Sequence, residues 1–69
     1  MTGFKDNLKE LRQGSAMTQK QLAERLGVLE RSISYWESGS RECDFETLIK
    51  IAEFFNVTTD ELLGHINKN

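Results

Sequence analysis

The sequence predicts an all-α fold of five short helices. Five segments repeat apolar residues at helical spacing, each is bounded by residues suited to open or close a helix, and none alternates like a half-buried strand. At 69 residues, the chain is expected to be one domain, residues 1–69, with its core at about 4–64. A domain this small buries only about 60% of the surface its unfolded chain exposes.

The first helix is expected from about Phe4 to Gln13, since Phe4, Leu8 and Leu11 recur at i, i+4 and i+7, with Gly14 as its stop. Thr18 opens the second helix, and Gln21 completes a capping box, with Met17 and Leu22 flanking it as a hydrophobic staple. Leu22, Ala23 and Leu26 form its buried stripe. The third helix runs from about Glu30 to Ser38 and stops at Gly39. Its N-cap falls on Leu29, which cannot accept backbone N–H bonds; the missing cap costs about 1 kcal/mol. Leu29 is read as a tolerated poor cap, with a thymine methyl as its alternative contact. Asp44 caps the fourth helix, whose inward face is Leu48, Ile51, Ala52 and Phe55, and Asn56 suits a left-handed stop. The fifth helix has the Thr58–Glu61 capping box, the Val57–Leu62 staple and Gly64 at its end. Residues 65–69 are expected to fray.

Four residues of the central segment have telling spacing. Ala23 is small enough for a second helix to approach, and Gly27 fits a tight turn where φ can be positive. Ile33 and Trp36, three apart, share one face of the next helix. This is the helix-turn-helix pattern, whose second helix lies in the major groove of DNA.

The stretches MTQKQLAERLGV, SISYWESGSR and FETLIKIAEFFNVTTDELLG, together with the first helix, span roughly residues 4–64. In that order they resemble the phage repressor and Cro proteins, also called Xre-like regulators. The resemblance implies a compact five-helix, lambda-repressor-like DNA-binding domain with the helix-turn-helix formed by helices 2 and 3. It implies a sequence-specific transcriptional regulator, a repressor of phage or mobile-element type, bound as a homodimer to a two-fold operator in double-stranded DNA. It implies no cofactor and no catalysis.

The outward face of the third helix supplies the candidate base contacts, Glu30, Arg31, Ser34 and Tyr35. Arg31 can bond guanine O6 and N7 together, and Glu30 can accept from cytosine N4 or instead pair with a nearby cation. Tyr35 is long enough for a phosphate or a base edge, or else packs on the protein surface. Candidate phosphate contacts are Gln19 and Lys20 at the start of the second helix, Ser32, and Ser40 and Arg41 with the Gly39 amide beyond the third. The family often has a lysine where Ser40 stands, an asparagine at Ser38 and a proline at Cys43. By the same resemblance, Arg12 and Glu37 form an inward structural pair. Val57, Leu62, Leu63 and Ile66 are expected to form the dimer contact, because Leu63 points roughly 100° away from the face that 62 and 66 share. The alternative is that Leu63 packs back on Phe54 or Phe55 and the chain pairs only on DNA.

The net charge is −2, but its distribution is uneven. Residues 1–41 hold seven basic and five acidic side chains, giving +2; residues 42–69 hold two and six, giving −4. The motif half is therefore the basic half. Cys43 is the only cysteine, which fits a reducing cytoplasm and offers no zinc-ligand pattern. It is read as a packing residue, with a redox sensor as the minority alternative. One histidine, one cysteine and no clustered carboxylates argue against an enzyme. No apolar run suggests a membrane span or a signal peptide. Two other readings stay open: a protein-interaction module that meets a toxin, antitoxin or antirepressor antagonist, and the N-terminal DNA-binding fragment of a longer regulator.

Overall fold

The computed structural model describes residues 3–64 and contains five helices: α1 (Phe4–Gly14), α2 (Gln19–Leu26), α3 (Glu30–Ser38), α4 (Phe45–Phe55) and α5 (Thr59–Leu63). Among the described residues there is no strand, and no helix is long and apolar enough to cross a membrane. The capping pattern accounts for the helix starts. Thr18 and Thr58 each form a complete capping box, with Gln21 and Glu61 respectively. Asp44 accepts the Thr47 N–H at 3.1 Å. Leu29 has N-cap backbone geometry with no side-chain bond, as its chemistry requires.

The helix ends follow one plan. Gly27, Gly39, Asn56 and Gly64 all adopt left-handed backbone angles just after their helices. The first helix departs from expectation. Gly14 is helical, and the left-handed residue is Ala16 at φ 57. Ala16 N–H bonds the Gln13 carbonyl at 3.0 Å and Met17 N–H bonds the Arg12 carbonyl at 3.2 Å, the double closure of a Schellman motif. Arg12 Nη1 also donates to the Met17 carbonyl at 2.8 Å. That local bond holds the turn closed, and alanine tolerates the left-handed position at a cost of roughly 1–2 kcal/mol.

One core joins all five helices. Phe4 and Leu8 of α1 meet Leu22, Ala23 and Leu26 of α2, Ile33 and Trp36 of α3, and Leu48, Ile51 and Ala52 of α4. Cys43 and Leu62 complete it. α3 packs against α2 and α1, while α5 bridges α1 and α4. Phe55, expected on the inward face of α4, lies half-buried at the margin, edge-on to Phe54 with ring centroids 5.0 Å apart.

Two polar side chains close the frame at helix ends. Lys50 Nζ donates to the Leu26 carbonyl at 2.6 Å, capping α2 from α4. Asn7 Nδ2 donates to the Glu61 and Leu62 carbonyls at 3.2 and 3.1 Å, tying α1 to α5.

One of the four expected dimer contacts, Leu62, is corrected by this packing. Leu62 is fully buried at 0% exposure, so it has no surface to offer a partner. Val57 and Leu63 are half-buried and pack against the core. Ile66, the fourth expected contact, lies outside the described residues, as does His65.

Candidate nucleic-acid interface

Ile33 and Trp36 anchor the inner face of α3 in the core, at 0% and 8% exposure. Glu30, Arg31, Ser34 and Tyr35 therefore all lie exposed on the other side. The structure brings the four expected base-reading residues onto one open helical surface. Ser32, expected to contact a phosphate, lies less open than these four. It is half-buried, so it stands at the edge of that surface rather than on it.

The helix is held from behind by an ion pair. Arg12 Nε donates to Glu37 Oε2 at 2.7 Å and Nη2 donates to Oε1 at 3.0 Å, a bidentate fork. Only 12% of the arginine side chain and 4% of the glutamate side chain are exposed. The bond from Glu37 raises the Arg12 pKa further above its ordinary value, against the opposing effect of burial. With Nη1 on the Met17 carbonyl, the arginine joins the end of α1, the approach to α2 and the last turn of α3.

Gln19 belongs partly to this network. Its Nε2 donates to Glu37 Oε1 at 3.1 Å, and the residue is half-buried. The side chain expected on a phosphate is thus turned toward α3. What α2 presents outward at its start is the exposed Lys20 side chain, together with backbone N–H groups of Gln19 and Lys20 that find no acceptor among the described residues. Such free donors at a positive helix end suit an anion.

The loop after α3 differs from expectation in one respect. The N–H groups of Gly39, Ser40 and Arg41 all point at the Tyr35 carbonyl, the Ser40 bond at 3.0 Å. The Gly39 amide is therefore not available to a phosphate. Ser38 Oγ also donates to the Tyr35 carbonyl and shares a 2.8 Å hydroxyl bond with Ser40. Ser40 and Arg41 remain exposed. The Arg41 guanidinium lies 4.9 Å from the centre of the Tyr35 ring, a cation–π contact linking the two residues. Sequence reasoning also missed Lys5, whose stem runs beside Gly39. No local pattern signals that contact, because it joins the start of α1 to a loop far along the chain.

Among the described residues, no set of three His, Cys, Asp or Glu side chains could hold a metal ion. Cys43 is buried, and burial is the main cause that pushes its thiol up to about 11. It packs in the core, as expected.

The sequence profile of the helix-turn-helix family matches residues 8–62. The chain is 50% identical over 61 residues to the HTH-type transcriptional activator BcrR of Enterococcus faecalis, covering 88% of this chain and 30% of that protein. It is 44% identical over 57 residues to the HTH-type transcriptional regulator ImmR of Bacillus subtilis, covering 83% and 45% respectively. It is 35% identical over 61 residues to the cryptic phage CTXphi transcriptional repressor RstR of Vibrio cholerae, covering 88% and 54%. The chain thus spans about a third to a half of these relatives. The crystal structure of a transcriptional regulator from Listeria innocua superposes with a TM-score of 0.86 at 35% identity, covering 96% of this chain and 62% of that one.

Proposed function

The chain belongs to the helix-turn-helix family, and from that premise we propose that it is a sequence-specific transcriptional regulator that reads double-stranded DNA with α3. The observation that carries this reading is the open outer face of α3, where Glu30, Arg31, Ser34 and Tyr35 are exposed together while the opposite face is locked in the core. Such a rigid helix can present side chains to base edges without reorganising. Arg31 is the principal base reader, with Glu30, Ser34 and Tyr35 beside it. Lys20, Arg41 and the open amides at the start of α2 fix the backbone register. Ser40 and the free amide hydrogen of Gln19 contribute at the margin. Relatives named as transcriptional regulators support the same reading.

Two copies on a two-fold operator would place their α3 helices about 34 Å apart, one turn of DNA. Occupying a promoter in the cytoplasm excludes polymerase, so the proposed action is repression, with no cofactor and no catalytic step. The named relatives include an activator as well as a repressor, and a promoter-reporter assay separates the two actions. Selection of bound duplexes from a random pool tests the whole reading. A two-fold motif is the expected result. No enrichment over random DNA at any salt concentration would refute it.

A second reading is favoured by one observation. Phe45 and Ile49, one turn apart on α4, are 80% and 50% exposed. An apolar pair this open suits a protein contact, with an antagonist or with further chain of a longer regulator. Phe45→Ser with Ile49→Ser would abolish such a contact and leave DNA selection unchanged.

A further inference from the structure

We propose that Lys5 is a phosphate-contacting residue, which with Arg41 grips one backbone phosphate of the duplex at the C-terminal end of α3. The proposal rests on the DNA-binding reading above and adds to it a residue from outside the helix-turn-helix.

Phe4 is buried at 2% exposure and fixes the start of α1 against the core. Its neighbour Lys5 is thereby set at the rim, exposed, where α1 passes the loop after α3. Gly39 makes room for it. A Cβ on Gly39 would lie 3.0 Å from Lys5 Cδ and 3.9 Å from Nζ. The glycine thus serves two needs, its left-handed φ of 82° and the passage of the lysine stem. Lys5 and Arg41 line one cleft of about 250 Å³ together with Phe4, Trp36, Ser38 and Gly39. Glu42 also lines it.

The loop's hydrogen bonding explains why side-chain cations are needed there. The Gly39, Ser40 and Arg41 amides are committed to the Tyr35 carbonyl, so these three donors are not offered to an anion. Arg41 is placed by its stack on Tyr35. The Lys5 ammonium has no hydrogen-bond partner among the described residues. A compact charge on a packed stem, beside a second cation and at the end of an outward-facing helix, suits a phosphodiester oxygen. Glu42 weakens the site for a free anion, so it should act only when the rest of the interface holds the duplex.

Lys5→Met keeps the stem beside Gly39 and removes only the charge. Affinity is measured across salt concentrations for a selected duplex and for an unrelated mixed-sequence duplex. Losing one phosphate contact per bound copy should lower the slope of log K against log salt by about 0.9 for each copy on both duplexes, a loss of roughly eightfold per copy at 0.1 M salt. Base preferences and the melting temperature should stay as in the wild type, and Lys5→Arg should retain the slope. An unchanged slope in Lys5→Met, with wild-type binding intact, overturns the role of Lys5 and leaves the DNA-binding reading standing. So does a change confined to one base position, or a lower melting temperature without a slope change. A wild type that binds neither duplex overturns both.

Discussion

Thr18 and Leu29 stand at the same point of their helices with similar backbone angles, φ −78 and ψ 165 against φ −78 and ψ 145. What their side chains do there differs. Thr18 Oγ1 accepts the Gln21 N–H at 3.0 Å, and Gln21 Oε1 accepts the Thr18 N–H at 2.9 Å, so α2 closes its own end. Leu29 makes no such bond and is 58% exposed. The helix proposed to read DNA therefore starts, unlike α2, with no side-chain cap. Its order comes instead from contacts made at a distance. Ile33 and Trp36 sit in the core, Glu37 is gripped by Arg12 and Gln19, and the Tyr35 carbonyl gathers the loop amides. A helix held from behind and at its far end keeps its outer face and first turn free for a partner.

The largest break in this contrast should come from the ion pair. Arg12→Ala or Glu37→Ala leaves a partner largely buried and unpaired, which costs about 3–5 kcal/mol, or less where water reaches the site. Thermal melts of both single variants and the double variant check this. The double variant should lose clearly less than the sum of the singles. Unchanged melting in both singles would show that the pair does not hold α3.

On the outer face, Arg31→Ala should cost about 1–3 kcal/mol of binding to the selected duplex and relax preference at one base position. Melting should barely move, because the side chain is exposed. Arg41→Ala should weaken all sequences alike, apart from any preference that Tyr35 carries through their stacking contact. Binding profiles on point variants of the duplex decide. Identical profiles for the two variants would refute the division between face and loop.

The two helix starts can be exchanged directly. Thr18→Ala should destabilise by about 1 kcal/mol, while Leu29→Ser should stabilise by a similar amount. Chemical denaturation reads both. A gain at Leu29 with weaker DNA binding would show that the leucine serves recognition and not only tolerance. No gain would show that the start of α3 is already satisfied.

The smallest expected effect concerns acid. Hydrogen bonds with Thr47 hold the Asp44 carboxyl below its ordinary range, and hydrogen bonds with Thr58 do the same for Glu61. Because these folded-state values are lowered, their stabilisation is present above the unfolded values, about 4. It is lost as pH falls through the folded ones. Both groups are fully exposed, so the contribution is minor. Asp44→Asn and Glu61→Gln keep an acceptor in place and should flatten the acid limb of stability between pH 5 and 2. Unaltered limbs would remove the caps of α4 and α5 as the source.

Much of the molecule can be read locally. Caps at Thr18, Asp44 and Thr58, left-handed stops at Gly27, Gly39 and Asn56, and periodic stripes through Leu22, Ile33 and Ile51 each concern residues within a turn or two of one another. The exposed set on α3 follows from the same periodicity once Ile33 and Trp36 are placed inward, and the Arg12–Glu37 pair followed from family resemblance. Such features depend on backbone geometry and short-range hydrogen bonds, which the chain carries wherever it goes.

The tertiary structure decided the rest. α1 runs through Gly14 and the left-handed residue falls at Ala16, where Arg12, paired with Glu37, also takes the Met17 carbonyl. Gln19 turns to Glu37, Lys50 reaches the end of α2, Asn7 reaches the end of α5, and Lys5 lies against Gly39. Leu62, expected at a dimer contact, is buried in the core instead. Each of these depends on which surface another helix brings alongside. Periodicity can mark a face as apolar, and composition can mark a side chain as a donor. Neither states what will cover that face or accept that bond, because both are settled only when distant segments pack.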